Sequence, residues 1–253
     1  ERRVKAGIIY SMMLLANEKG DTYSSFDEIY KMLRIVINYQ VEFDYYDNML
    51  ESLLKDMKIF KYDSNYQLAL FNKADNTIVK RLTYLNNKED VIYRSNLDKK
   101  INDYEKASDL FYDEKQKLAI KNAFLKNILI ITGGPGTGKT TIIKSIVSIY
   151  KNIYGSLDDV ALLAPTGRAS KRIMEATEES ASTIHRFLKW NKDTDRFQIN
   201  EYNKSDVKLV IIDEFSMVDT CLFESLLNGL KYDTRIILVG DYNQLPSVRA
   251  GDV

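Results

Sequence analysis

The sequence predicts an α/β protein in which a mainly helical domain precedes a doubly wound parallel sheet. From about residue 106 onward, apolar runs of strand length alternate with helical stretches, and a glycine-rich loop joins one run to a helix. Continuous apolar runs are typical of parallel strands that are buried on both faces. Residues 1 to about 105 contain no proline and only two glycines. We therefore predict an accessory domain over 1–105 and a sheet domain over 106–253.

Two helices are predicted at the start of the first domain. Apolar residues recur at helical spacing from Val4 to Leu15. Gly20 lies where a C-terminal cap ends such a helix. Ser25–Glu28 has the spacing of a capping box, which predicts that a second helix begins there and runs through Ile35.

A third helix and a hairpin are predicted to follow. The helix covers 42–57, and two short strands are expected within 59–71. Three helices followed by a hairpin is the order of a winged helix, but a plain helical bundle gives a similar pattern, so both architectures stay open. A further helix over 74–85 is predicted to lead into a polar linker over 86–103.

Composition restricts the class of protein. The 45% hydrophobic and 28% charged residues are typical of a soluble globular chain. Basic and acidic residues both number 36, so any contact with nucleic acid must come from a local patch and not from a basic excess. The single cysteine, Cys221, excludes an intramolecular disulfide and fits a reducing cytosol. The apolar stretches are too short to span a bilayer, so we expect a cytoplasmic protein without a membrane partner.

Four apolar runs are predicted to be strands of the sheet, at 127–132, 160–164, 207–212 and 235–239. The first run is expected to be a buried strand. It leads into Gly133–Thr140, which satisfies the phosphate-binding pattern G-x-x-x-x-G-K-[ST]. The loop follows a strand and opens a helix, which is the context that this pattern requires for binding a nucleoside triphosphate.

The residue types of this loop suit the binding of a nucleoside triphosphate with Mg²⁺. Glycines let the backbone wrap around phosphates and turn its N–H groups inward, and the helix predicted from Thr140 to about Lys151 adds its positive end. Lys139 is expected to reach the β and γ phosphates, and the Thr140 hydroxyl to hold Mg²⁺. The predicted ATP-binding residues of the loop are Gly133, Gly134, Pro135, Gly136, Thr137, Gly138, Lys139, Thr140 and Thr141.

Two acidic residues follow the strand at 207–212. Because the carboxyl ends of parallel strands face the ligand crevice, Asp213 is a candidate Mg²⁺ ligand. Glu214 is the candidate general base that orients the attacking water. In the loop after the strand at 235–239, Gln244 is a candidate sensor of the γ phosphate. With Lys139, these three residues form the predicted catalytic set.

Five stretches in order resemble the motifs of the RecD-like branch of superfamily 1 helicases. Ala164–Arg172 resembles motif Ia, and the stretches around Asp213 and Gln244 resemble motifs II and III. The resemblance covers roughly residues 108–253 and implies a RecA-like motor domain of an ATP-dependent 5′-to-3′ DNA helicase that acts in DNA repair or recombination. The five stretches are 132–141, 164–170, 183–188, 212–219 and 239–251.

The resemblance also implies roles for individual residues. Gln116 matches the glutamine that reads adenine ahead of the phosphate-binding loop. Thr166, Arg168, Thr183 and His185 lie in motifs that contact single-stranded DNA. Hydroxyls and basic groups after strands are phosphate-binding features in general. For His185 a packing or capping role also stays open.

A β-hairpin is predicted within 189–202, as a small insertion near 189–205. In relatives, a hairpin subdomain at this place lies near the point of strand separation. Trp190 is expected either to pack within the hairpin or to stack on a base. Arg249 stands where the family pattern has a small residue, which predicts an altered loop after motif III.

The chain is expected to be a fragment. It begins at Glu1 and stops before motifs IV to VI, so its expected partners are single-stranded DNA and the missing second RecA-like lobe of the same protein. Two alternatives stay open. One is the motor of a conjugative relaxase or a Pif1-like helicase, and the other is a binding module that uses ATP only to switch a partner interface.

Overall fold

The computed structural model describes residues 1–89, 96–241, 243, 244, 247, 250 and 251. Residues 90–95 of the predicted linker, and Arg249 with its predicted altered loop, lie outside the described residues. The chain divides into two units. The first contains the described residues of 1–78, 217–224 and 247–251, and the second contains those of 79–216 and 225–244. This division differs from the boundary predicted at 105/106.

The first unit begins with helices and short strands that alternate along the chain. They are α1 (Arg2–Lys19), β1 (Tyr23–Ser25), α2 (Phe26–Ile37), α3 (Phe43–Lys55), β2 (Ile59–Tyr62) and β3 (Asn65–Leu68). The strands form an antiparallel sheet in the order β1–β3–β2. Three helices with an antiparallel sheet of this strand order have the topology of a winged helix. A plain helical bundle contains no such sheet. The sequence missed β1 because three residues are too few for a periodic signal.

Local signals in the sequence explain where these helices begin and end. Gly20 ends α1 with φ of 80°, and its N–H donates to the carbonyl of Ala16. The Ser25 hydroxyl accepts from the Glu28 N–H, and the Glu28 carboxylate accepts from the Ser25 N–H at 2.9 Å. Both halves of the predicted capping box are therefore present. The core of this unit includes the buried residues Ile8, Leu33, Tyr46, Leu50 and Leu53.

The predicted polar linker is wrong over most of its described part. Helix α4 (Ala69–Asn87) is followed by α5 (Leu97–Ala107) and α6 (Glu114–Leu125). Leu97 and Ile101 lie on one face of α5 and are buried in the core of the second unit. A helix with so narrow an apolar stripe has a mainly polar sequence, which is why its composition suggested a linker.

The second unit contains a five-stranded parallel sheet in the order β4–β10–β9–β5–β6. The predicted α/β class is confirmed. Its strands are β4 (Ile128–Thr132), β5 (Val160–Ala164), β6 (Ala181–Thr183), β9 (Leu209–Ile212) and β10 (Arg235–Gly240). The helices that follow α6 along the chain are α7 (Lys139–Tyr154), α8 (Gly167–Thr177), α9 (Ile184–Phe187) and α10 (Thr220–Gly229).

The strands of this sheet differ in burial. All residues of β9 are buried, as are the inner residues of β10. In β4 only Ile131 is buried, and Ile130 is 61% exposed. The prediction of a buried first strand is therefore wrong, because within the described ranges β4 pairs with β10 alone and lies at the edge of the sheet.

The predicted hairpin is confirmed. It consists of β7 (Trp190–Asn191) and β8 (Arg196–Phe197), which pair antiparallel. Among the helices that the structure describes, none is long and apolar enough to cross a membrane.

Candidate functional site

The phosphate-binding loop joins β4 to α7 at the carboxyl end of the sheet. The Lys139 ammonium donates to the carbonyls of Gly133 at 2.5 Å and Gly134 at 2.9 Å. Gly138, with φ of 83°, precedes the first turn of α7. The Gly133 N–H donates to the Gly240 carbonyl at 3.3 Å. The loop is thus tied to the end of β10, and its lysine lies folded back onto the loop.

Gln116 lies against this loop. It forms a capping box with Asp113, in which the Gln116 N–H donates to the Asp113 carboxylate at 2.8 Å and the Asp113 N–H donates to the Gln116 side chain at 3.1 Å. The Gln116 side-chain amide donates to the Thr137 carbonyl at 3.1 Å. α6, β4 and the loop line a pocket of about 420 Å³, to which Gln116 and Lys139 both contribute.

A buried hydrogen-bond chain, which the sequence did not predict, anchors the segment before Gln116. The Tyr112 hydroxyl bonds to the Ser145 hydroxyl at 2.6 Å, and Ser145 donates to the Thr141 carbonyl at 2.7 Å. The Tyr112 N–H donates to the Glu105 carboxylate at 2.8 Å. The segment that carries Gln116 is therefore connected to the first turns of α7, which directly follow the phosphate-binding loop.

Asp213 follows β9 and is only 8% exposed. Burial raises the pKa of its carboxyl group, and the charge of Glu214 adds to that rise. The Glu214 N–H, which donates to Asp213 at 2.9 Å, and the more distant charges of Lys139 and Arg172 act in the opposite direction. The ionised form of a buried carboxylate is stabilised by a nearby cation, so this position suits a residue that binds a metal ion.

Glu214 is held in an unusual conformation. Its φ is 52°, in the left-handed region that non-glycine residues occupy uncommonly. One carboxylate oxygen, Oε2, is buried and has no hydrogen-bond partner in the part of the chain that is described. The other, Oε1, lies 3.6 Å from Nη1 of Arg172 on α8. The sequence did not assign a role to Arg172.

A second buried acid follows β10. Asp241 is 1% exposed. One of its oxygens accepts from the Asn243 N–H at 3.0 Å, and the other has no partner among the described residues. Asp241 was missed, although an acid directly after an apolar strand is the same signal that indicated Asp213. The predicted sensor Gln244 is exposed in the following turn, where its N–H donates to the Asp241 carbonyl at 3.1 Å.

The oxygen groups at this edge suit Mg²⁺ in type and number. Mg²⁺ in nucleotide sites is usually held by one or two protein oxygens, with phosphate and water completing its coordination. The chain offers the Asp213 carboxylate and the Thr140 hydroxyl at the ends of β9 and of the loop. The described residues contain no group of three or more His, Cys, Asp or Glu side chains that would form a protein-only metal site.

The candidate DNA-contacting threonines both cap helices. The Thr166 hydroxyl accepts from the Ala169 N–H at 3.2 Å at the start of α8, and the Thr183 hydroxyl accepts from the Arg186 N–H at 3.2 Å at the start of α9. Arg168 is exposed in the first turn of α8. Because β5 and β6 are parallel neighbours, both helix starts lie at the same edge of the sheet as the carboxylates.

His185 packs into an aromatic cluster with the hairpin. Its ring centroid lies 6.3 Å from that of Trp190 and 5.8 Å from that of Phe197, and the Trp190 and Phe197 centroids are 4.7 Å apart. These contacts favour the packing role for His185 and for Trp190. Trp190 nevertheless keeps 37% of its surface exposed.

Comparison with known proteins identifies the family. The AAA domain family matches residues 116–250, which is more than half of the chain. The RecBCD enzyme subunit RecD of Buchnera aphidicola is 31% identical over 86% of this chain and 38% of the relative. That of Haemophilus influenzae is 35% identical over 54% of this chain and 25% of the relative.

A third relative has a different name. The ATP-dependent RecD2 DNA helicase of Deinococcus radiodurans is 38% identical over 54% of this chain and 19% of the relative. The matched region spans less than two fifths of the length of each of these three relatives. The chain belongs to the AAA domain family, and its ordered motifs and these relatives identify it as RecD-like, of superfamily 1 helicases.

Proposed function

We propose that this chain carries the ATP-binding lobe of an ATP-dependent DNA helicase that moves 5′ to 3′ along single-stranded DNA and acts in repair or recombination. The observation that carries the proposal is the position of the motifs. The phosphate-binding loop, Asp213, Glu214 and the starts of α8 and α9 all lie at the carboxyl edge of one parallel sheet. Ligands bind at this edge in open α/β sheets.

For hydrolysis, we assign the phosphate contacts to the loop and the proton transfer to Glu214. Lys139 would leave the two loop carbonyls that it contacts and bind the β and γ phosphates. Thr140 and Asp213 would hold Mg²⁺, which, when bound, neutralises charge on the phosphate oxygens. Glu214 would accept a proton from the attacking water, and Gln244 would contact the γ phosphate.

Gln116 is assigned to the adenine base. Its side-chain amide already contacts the loop at Thr137, and it lines the pocket beside Lys139. An amide can both donate to and accept from the edge of a base, so rotation of this side chain would exchange its contact with the loop for a contact with adenine.

For DNA, we assign Thr166 and Thr183 to contacts with the strand. Each hydroxyl accepts a capping bond and still has its own hydrogen, which can be donated to a phosphate oxygen. Arg168 supplies a positive charge in the first turn of α8. His185 is also assigned to the DNA-contacting surface, where its ring packs in the aromatic cluster of the hairpin.

The second RecA-like lobe is assigned to the same protein. ATP would lie between the two lobes, and an arginine finger from outside the site is worth roughly 10³–10⁵ in rate. We therefore expect this chain alone to bind ATP with Mg²⁺ but to hydrolyse it close to the background rate.

The test measures ATP binding and turnover by this chain, with and without single-stranded DNA. Lys139→Ala should abolish binding, and Glu214→Gln should leave binding intact. High, DNA-stimulated turnover that Glu214→Gln removes would contradict the assignment of a single lobe. In the whole protein, unwinding of a duplex with a 5′ tail but not of one with a 3′ tail is expected. Tight ATP binding without unwinding of either duplex would contradict the helicase function.

A further inference from the structure

Glu214, the candidate general base, forms an ion pair with Arg172 of α8, the helix that begins within the candidate DNA-contacting motif. Nη1 of Arg172 lies 3.6 Å from Oε1 of Glu214. The Arg172 side chain is 65% exposed, whereas that of Glu214 is 19% exposed. The ion pair therefore connects the catalytic edge of the sheet to a side chain that solvent, or a charged ligand, can reach.

Arg172 shares a helix face with a residue of the DNA motif. Arg168 and Arg172 are four residues apart on α8, and residues at this spacing are neighbours on a helix surface. α8 itself is anchored to the sheet core through the buried Ala169 and Ile173. A phosphate held near Arg168 would thus lie within one helical turn of the cation that contacts Glu214.

The surroundings of Glu214 leave the carboxylate with few competing contacts. Its Oε2 is buried and has no partner in the described ranges, and its backbone φ of 52° fixes the direction in which the side chain leaves the chain. Among the described residues, Arg172 is the cation that pairs with this carboxylate. A carboxylate that points toward a guanidinium at 3.6 Å is less free to turn toward the attacking water and orient it.

We propose that Arg172 is a positioning residue that restrains Glu214 in the absence of DNA. A DNA phosphate at the start of α8 would attract the Arg172 guanidinium and free the carboxylate to orient the attacking water. The inference rests on the proposed function, since it assumes that Glu214 is the base and that the start of α8 meets DNA. An exposed ion pair shifts an equilibrium by roughly 1.5- to 5-fold, so the restraint is modest and reversible.

The experiment uses the whole protein and separates turnover without DNA from turnover at saturating DNA. Arg172→Met should raise kcat without DNA by roughly 1.5- to 5-fold and leave kcat with DNA and the KM for ATP unchanged. Arg172→Lys should restore the low rate without DNA. Added salt should raise the rate of the unchanged protein without DNA, because salt screens the pair, but not that of Arg172→Met.

A matched control removes an ion pair between α7 and the residue that follows the C-cap of α8. Lys151 pairs with Glu179 at 2.5 Å, just beyond the end of α8, and Lys151→Met should change neither rate. Equal loss of kcat with and without DNA in Arg172→Met would overturn the proposal, since Arg172 would then assist catalysis. Unchanged rates in Arg172→Met under both conditions would overturn it as well.

A second measurement distinguishes this inference from the proposed function. Turnover that depends on Glu214 but not on DNA would contradict the helicase function. A double-mutant cycle of Arg172→Met and Glu214→Gln on thermal unfolding of this chain tests the pair without any turnover. A non-additive change in the midpoint supports the restraining contact, and strictly additive changes would overturn it.

Discussion

Gly138 combines a backbone conformation that favours glycine with a close neighbour. Its φ is 83°, and a Cβ at this position would lie 2.8 Å from the side-chain nitrogen of Gln116. The left-handed conformation costs an L residue about 1–2 kcal/mol. The displaced Gln116 amide would also lose its bond to Thr137, at about 0.5–1.5 kcal/mol. Gly138→Ala should therefore destabilise the chain and disturb the nucleotide pocket together.

Gly155 provides a control at the other end of the same helix. It has φ of 82°, and a Cβ there would meet nothing within 4 Å. Gly155→Ala should therefore carry the same backbone cost of about 1–2 kcal/mol without any contact to Gln116. For a chain of this size, 1 kcal/mol corresponds to about 2–4 °C in the unfolding midpoint.

Thermal unfolding with and without ATP and Mg²⁺ checks the pair of variants. Both should lower the midpoint by about 2–8 °C, and Gly138→Ala should lower it somewhat further. Only Gly138→Ala should lose the stabilisation that ATP gives. The reasoning is refuted if Gly138→Ala keeps that stabilisation, or if Gly155→Ala loses it to the same extent.

Three further predictions follow from burial and charge. Asp213→Asn should raise the midpoint of thermal unfolding at pH 7, because burial raises the pKa of Asp213 above its ordinary 3.8. This gain should shrink as the pH falls through the raised pKa and vanish below pH 3.8. A gain that does not depend on pH would contradict the reasoning. Lys19, with the Ser25 contacts, lowers the pKa of Glu28 from 4.5 to about 2, so the stability that Glu28→Gln removes should be present above pH 4.5 and disappear near pH 2 in urea unfolding. Ile101→Ala should cost about 2–5 kcal/mol in urea unfolding, whereas the exposed neighbour Asn102→Ala should stay within about 0.5 kcal/mol; equal effects would mean that α5 carries no core contact.

Long elements with a regular apolar pattern could be predicted from the sequence. Helices α1 and α2 have a periodic face and a capping signal at one end, and β5 was predicted with its observed ends, Val160 and Ala164. The position of the glycine-rich loop between β4 and α7 was predictable for the same reason, because its pattern lies in contiguous residues. In each case the physical cause acts between residues that are near in sequence.

Contacts between residues far apart in sequence were not predictable. The strands β1 and β6 have three residues each, and they exist because a neighbouring strand supplies their hydrogen bonds. The exposure of Ile130 depends on which strands flank β4, and the pairing of Arg172 with Glu214 depends on how α8 lies against the end of β9. The sequence predicted the chemical groups of the candidate site. Packing of the sheet and its helices decided which of these groups lie close together, because such distances arise from the summed burial of many residues and not from any local pattern.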